Sequence, residues 1–470
     1  MSQPCNGNLL LCSDSYKVTH WKQYPPSTEL VFAYFESRGG EFQETLFYGL
    51  QYILKKWLCG QVVTKEKIQE AKEILDAHLG PGCFNQEGWE YILKEHGGKL
   101  PLEIKAVPEG STIPTRNVLF TVVNTDPKCF WLTTYVETLL VEVWYPMTVA
   151  TISKEMKMII GKYLLETADN LNGLPTMLHD FGFRGASSVE SAALGGSAHL
   201  VNFRGTDNLA SLILARDYYH AKEIAGVSIP ASEHSTITAW KKTGEKDAFK
   251  NMLTQFPNGP VACVSDSYNI WNACEKYWGE DLKEMVEDRG KRGVGPLVVR
   301  PDSGDPPTVV CKVLDILGSK FGTSVNDKGY KVLPPYLRVI QGDGISYKSL
   351  EGILVKMKEE NWSADNVSFG CGGGLLQKLN RDTQRCAYKC SYVIVDGVGV
   401  EVFKDPITDK KKTSKKGLLM LEHDNGQYVT KSIGTGDPAK NVLVTVFKNG
   451  QLLCDYSFDD IRRRAERDLF

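Results

Sequence analysis

The 470-residue chain contains no Cys-x-x-Cys pair, no apolar run of membrane-spanning length and almost no net charge, −2 at pH 7. Each absence removes a class of protein. The 12 cysteines are scattered, and even Cys386 and Cys390 lack the paired spacing of a zinc site, so they read as reduced thiols rather than a metal or disulfide framework. A nucleic-acid protein normally carries a broad basic footprint, and a pI near 6.5 argues against one. Leu9, Leu10 and Leu11 have neither a basic flank nor the length of a leader, which gives the expectation of a cytoplasmic protein with no membrane partner. No G-x-x-x-x-G-K-[ST] occurs, so any use of ATP is not of the Walker type. Low-complexity sequence is confined to the lysine-rich stretch 409–417, and a hydrophobic fraction of 42% is ample for two sizeable cores.

The most informative stretch is Pro296-Leu-Val-Val-Arg-Pro-Asp-Ser-Gly304, a buried-strand pattern that ends abruptly in charge and glycine. Arg300 and Asp302 emerge there beside a dry core, where either charge alone would be costly. The same break recurs in Tyr336–Gly344, which ends in Gly342, Asp343 and Gly344, and in Asn366–Gly374, which ends in Gly372, Gly373 and Gly374. Between the first two runs, Val310, Val313, Leu314, Leu317 and Phe321 recur at helical spacing, and between the second and third Leu350, Ile353, Leu354 and Met357 do so. Alternating strands and helices predict a parallel sheet or barrel, whose ligands sit at the carboxyl ends of the strands. The expected fold class is α/β, and one reading is a barrel over 150–384 flanked by a second mixed α/β domain built from both chain ends, 1–149 and 385–470.

Other strand ends carry chemistry too. His234, in Ser228–Trp240, precedes a helix; a lone histidine there more often packs or caps than it acts as a base or accepts a phosphoryl group. Asp266 ends the apolar run from Val261, and it either orients that histidine or caps the helix expected from Tyr268. The segment Gly370–Arg381 reads as a phosphate cradle of side-chain-free amides leading into a helix, or as a structural turn. In His179–Gly185 and Val201–Asp207, Phe181 is able to stack on a flat ring, Arg184 to bind a phosphate, and Asp207 to accept hydrogen bonds from an amide; arginine beside phenylalanine is more often ordinary packing, and it is their number at strand ends that favours a site.

Five motifs in one order, Asp14–Pro26, His179–Gly185, Ala231–Ser235, Arg300–Gly304 and Phe369–Lys378, make the chain resemble, end to end, the nicotinamide phosphoribosyltransferase family. The resemblance implies the fold of the type II phosphoribosyltransferases, an irregular α/β barrel with a second α/β domain. The single Asp-Asp pair, Asp459-Asp460, lies in a charged segment, in keeping with the lack of a type I signature. The resemblance implies transfer of phosphoribose from 5-phosphoribosyl 1-pyrophosphate to nicotinamide, giving nicotinamide mononucleotide and pyrophosphate in NAD salvage. It implies a homodimer with shared sites, ATP as co-substrate and Mg²⁺ carried on substrate phosphates, with Asp302 and Asp343 as candidate ligands. The ring would lie between Phe181 and the partner's Tyr16, with Asp207 accepting from the carboxamide. Arg300 and Asp302 would hold ribose and phosphate, Gly342, Asp343, Gly372 and Gly373 the 5′-phosphate and hydroxyls, and Arg184 the pyrophosphate. Arg381 and Lys389 would reach in from the other subunit, and His234, beside Asp266, would be phosphorylated by ATP.

Cys371, Ala262 and Ala387 stand where the family usually has serine. Rival readings are a nicotinate phosphoribosyltransferase of the same fold, a barrel enzyme acting on another sugar phosphate, and, in a different class, an extracellular signalling protein.

Overall fold

The computed structural model describes residues 7–408, 413–467 and 469, so that residues 409–412 of the lysine-rich stretch lie outside it. The chain forms two compact units. One comprises the residues up to Thr151 with Asp217–Ala221 and Asn380–Arg467; the other holds Ile152–Arg216 and Lys222–Leu379.

The first unit is built on a seven-stranded antiparallel sheet, in the order Val398–Glu401, Cys386–Val395, Thr28–Ser37, Val118–Asn124, Leu102–Ala106, Val444–Lys448, Gln451–Leu452. Thr28–Ser37 sits between two neighbours and is almost continuously buried, with Phe35 stacked on Phe120 at 4.7 Å. Helix Lys65–Leu79 starts where the Thr64 side chain caps it and buries Ile68, Ala71 and Leu75, which recur on one helical face.

The second unit carries the sheet that the strand breaks predict. Its strands, in chain order, are β1 (Leu178–Asp180), β2 (Gly205–Thr206), β3 (Val261–Val264), β4 (Leu297–Arg300), β5 (Leu337–Gln341) and β6 (Val367–Cys371). They pair in the order β2-β1-β6-β5-β4-β3, and every pairing is parallel. A short segment links the two edges: Val227 bridges Gly205 at one and Ala231 bridges Ala262 at the other, both parallel. The sheet thus curls into an irregular barrel, lined on its inside by Ala262, Val298 and Ile340 with Phe181 and Ile229 packed against them.

The crossover helices follow from the sequence. α1 (Pro306–Phe321) starts where Asp305 accepts from Thr308 N, with prolines in its first turn, and buries Val310, Val313, Leu314 and Leu317. α2 (Tyr347–Glu359) opens on a Ser346/Ser349 capping box and buries Leu350, Ile353, Leu354 and Met357. Right-handed β-α-β crossovers place such helices outside the sheet, which leaves the strand ends to the loops.

Candidate active site

All of the polar strand-end residues read from the sequence of this unit stand at one end of the barrel, directly after the strands that deliver them. Phe181 follows β1, Asp207 follows β2, Asp266 lies two residues past β3, Arg300 closes β4, Gly342 and Asp343 follow β5, and Gly372 and Gly373 follow β6. Arg300 and Asp302 satisfy each other: Nε donates to Oδ1 at 3.2 Å and Nη2 to Oδ2 at 2.9 Å, a two-pronged pair that fixes the guanidinium plane. That guanidinium carbon lies 6.0 Å from the centre of the Phe181 ring. A Cβ on Gly342 would come within 3.4 Å of the ring and 3.5 Å of Asp302, so these groups surround one small volume. At Gly370 a Cβ would sit 2.0 Å from the ring, which makes glycine the residue that lets Phe181 lie flat against β6.

The glycine segment differs from its expectation in one respect. Only a single turn, Gly373–Leu376, follows Gly372, not a helix, so backbone N–H groups rather than a helix dipole are what it offers an anion. Cys371 beside it points away, its Sγ donating to Ile345 O at 3.1 Å, and burial pushes the thiol up to about 12, so it is an inert packing group.

His234 is the first residue of the helix His234–Thr238, which Glu233 caps. Its Nε2 lies 2.9 Å from Asp266 Oδ1, the histidine half-exposed and the carboxylate nearly covered, at 46% and 5%. Asp266 is not a helix cap, since the next helix begins at Ile270 and Asn269 caps it. The second oxygen of Asp266 accepts from Ser303 Oγ at 2.5 Å, so the carboxylate is held from two sides. Ser303 went unassigned in the sequence, although it sits inside the Arg300–Gly304 motif. Ser228 likewise donates a short hydrogen bond to Asp207 Oδ1. Arg184 is exposed on the turn Phe183–Gly185.

The remaining three predicted residues, Tyr16, Arg381 and Lys389, belong to the first unit and line a single cavity of about 1130 Å³ there. Arg38, Arg116, Arg385, Lys404 and Lys415 line it as well, giving it a surplus of cations suited to phosphate. None of these five stood out in the sequence, because they are spread over almost 400 positions and only folding assembles them. Lys389 is held below the ordinary lysine range by burial, with its Nζ donating to Tyr388 O at 2.8 Å. Tyr16 is exposed, its ring edge-on to His20 at 5.1 Å.

A parallel barrel with glycine turns and an Arg-Asp pair at its strand ends is in keeping with the type II phosphoribosyltransferase fold, and solved structures share that fold. Nicotinate-nucleotide pyrophosphorylase from Pyrococcus furiosus matches with a TM-score of 0.60 at 12% identity, over 99% of this chain and 96% of its own. Human nicotinic acid phosphoribosyltransferase matches with 0.57 at 16% identity, over 97% and 93%. In sequence, the nicotinate phosphoribosyltransferase (NAPRTase) family matches residues 176–451, and the nicotinamide phosphoribosyltransferase N-terminal domain matches residues 8–104. The nicotinamide phosphoribosyltransferase of Xanthomonas campestris is 52% identical over 98% of both chains, and that of Acinetobacter baylyi 34% identical over 98% of both. The chain belongs to the nicotinamide phosphoribosyltransferase family.

Proposed function

We propose that this enzyme transfers phosphoribose from 5-phosphoribosyl 1-pyrophosphate to nicotinamide, releasing pyrophosphate and forming nicotinamide mononucleotide for NAD salvage. The observation that carries the choice of pyridine is Asp207, an exposed carboxylate after β2 whose strand neighbour β1 delivers Phe181. A carboxylate accepts from a carboxamide N–H and repels the carboxylate of nicotinic acid, so the same group selects one pyridine and rejects the other. This favours the amide over the nicotinate reading within a shared fold.

In the reaction the pyridine nitrogen is already a nucleophile, and no strong base is needed. The ribosyl carbon takes on oxocarbenium character as its bond to pyrophosphate lengthens and the nitrogen closes in. Phe181 orients the ring, Arg300 and the Gly372–Gly373 amides hold the phosphate, and Arg184 meets the charge that grows on the leaving group. Mg²⁺ fits as an ion carried on the phosphates. Among the described residues the barrel has no group of three His, Cys, Asp or Glu side chains within mutual ligand reach, so the phosphates would carry the ion, with Asp343 or Asp302 at the rim as the carboxylates that would hold it. Bound there, the ion would neutralise charge on the pyrophosphate.

ATP would act through His234. With Nε2 paired to Asp266, Nδ1 is the nitrogen left to accept a phosphoryl group, and Ser303 keeps the carboxylate in place. The partner copy of the chain would supply Tyr16, Arg381 and Lys389 from its cationic cavity, making the sites shared in a homodimer. A cytoplasmic location belongs to the same proposal; the described cysteines are all free, and no helix among the described residues is long and apolar enough to cross a membrane.

The test is to follow pyrophosphate and nicotinamide mononucleotide release with and without ATP, and to look for acid-labile phosphate on the protein. The expected result is ATP-stimulated synthesis and phosphohistidine that is absent from His234→Ala. Synthesis with no response to ATP would remove the phosphohistidine step, and no synthesis at all would remove the function.

A further inference from the structure

Directly before Phe181 stands a carboxylate that none of the roles above uses. Asp180 is the last residue of β1 and is fully buried. Its Oδ1 accepts from Gly182 N at 2.7 Å, which closes the turn that presents Phe181. Its Oδ2 accepts from Asn208 Nδ2 at 3.0 Å, and Asp180 O accepts from Asp207 N at 3.1 Å. One residue therefore holds the residues flanking the ring-stacking face and those flanking the amide-reading carboxylate. Asn208 is equally committed: its Nδ2 also donates to Ala192 O at 2.8 Å, and its N–H donates to Thr206 Oγ1 at 2.9 Å. Two acceptors on one amide nitrogen fix which way that side chain faces. The neighbouring helix Val189–Leu200 passes close by, with Gly196 at the crossing. A Cβ there would lie 2.4 Å from Asn208 Nδ2 and 2.9 Å from Asp180 Oδ2, so the chain is pared back to let this pair form.

We propose that Asp180 and Asn208 form a buried clamp that sets the spacing between Phe181 and Asp207, and thereby the affinity for the pyridine substrate. The inference rests on the pyridine reading given above. Asp180 is a positioning residue: it lies beneath the loop surface and acts through the two residues it ties together. The clamp fixes the β1 and β2 loops, whereas the ribose and 5′-phosphate groups are delivered by β4, β5 and β6 and only Arg184, on the exposed turn beyond Gly182, follows β1, so loss of the clamp acts chiefly on the pyridine. Separation of the two KM values is the signature that a general loss of packing does not produce.

Asp180→Asn, Asn208→Ala and the double variant would be purified, their folding checked by circular dichroism and thermal melting, and KM for each substrate and kcat measured. Both single variants are expected to raise KM for nicotinamide about tenfold, the scale of one buried charge-assisted hydrogen bond, with KM for 5-phosphoribosyl 1-pyrophosphate within about twofold. The double variant should be no worse than the poorer single one, because both cut the same link. Equal rises in both KM values, additive effects, or unchanged kinetics would overturn the clamp. Should wild-type enzyme turn over only nicotinic acid, the amide reading of Asp207 fails, while a selective KM shift for that pyridine still reports the clamp.

Discussion

At the scale of single residues, the site is a set of charges that have found partners. Arg300 was expected to need one, and the structure gives it Asp302, two residues along the same strand end. Asp266 is shared by His234 and Ser303, and the second contact has no signature in the sequence because Ser303 lies 37 positions away. Asp180 was invisible in the sequence for a physical reason: one carboxylate between a histidine and a phenylalanine carries no sign of its own burial. Burial raises it from the ordinary 3.8 to about 6, with its hydrogen bonds from Gly182 and Asn208 working the other way and the charge of Asp207 adding to the rise. The side chains facing it are Asn208, Asp207 and the neutral Cys371 thiol. A carboxyl raised in the folded state is neutral in both states below about pH 4, and its full cost is felt above about pH 6. Its contribution to stability therefore falls as pH rises through that window, by about 2–3 kcal/mol. Urea unfolding of wild type and Asp180→Asn at pH 4.5 and 7 should show the difference between them shifting in favour of the variant at the higher pH.

At the scale of elements, strands were legible where an apolar run broke into glycine or charge, as in β4, β5 and β6, and helices where four or five apolar residues kept a 3.6 period, as in α1 and α2. Two elements were not legible. The closure of the barrel rests on single bridges at Val227 and Ala231, too short to leave a strand pattern. The helix expected after the glycine segment is a single turn, because Leu375 and Leu376 are buried at once and Gln377 turns back to donate to Gly182 O at 3.0 Å. The glycine whose absence of a side chain matters most is Gly370. Gly370→Ala forces a methyl into the Phe181 ring, and since both groups are packed the ring must leave its place. The expected result is a rise of about tenfold or more in KM for nicotinamide in protein that still melts cooperatively. A variant indistinguishable from wild type in KM would show that Phe181 does not hold the ring.

At the scale of the whole molecule, the residues that the family resemblance assigns to one site fall on two units: eleven on the barrel, and Tyr16, Arg381 and Lys389 on the first unit. If a second copy supplies those three, two inactive variants must repair each other. Tyr16→Ala mixed with Arg300→Ala, unfolded and refolded together at equal concentration, should regain about a quarter of wild-type activity, since half of the random dimers are mixed and each mixed dimer has one intact site of two. Activity that stays at the level of the separate variants would place each site within one chain.

The central claim is that Asp207 reads the amide, and competition between the two pyridines tests it most directly. Wild type and Asp207→Asn would be given 5-phosphoribosyl 1-pyrophosphate, Mg²⁺ and ATP with equal nicotinamide and nicotinic acid, and the two mononucleotides weighed by mass spectrometry. Wild type should give nicotinamide mononucleotide almost alone. The variant should give a ratio shifted at least about tenfold toward nicotinic acid mononucleotide, as removal of one repelled charge allows. Nicotinic acid mononucleotide as the main product of wild type, or an unchanged ratio in Asp207→Asn, would contradict that claim.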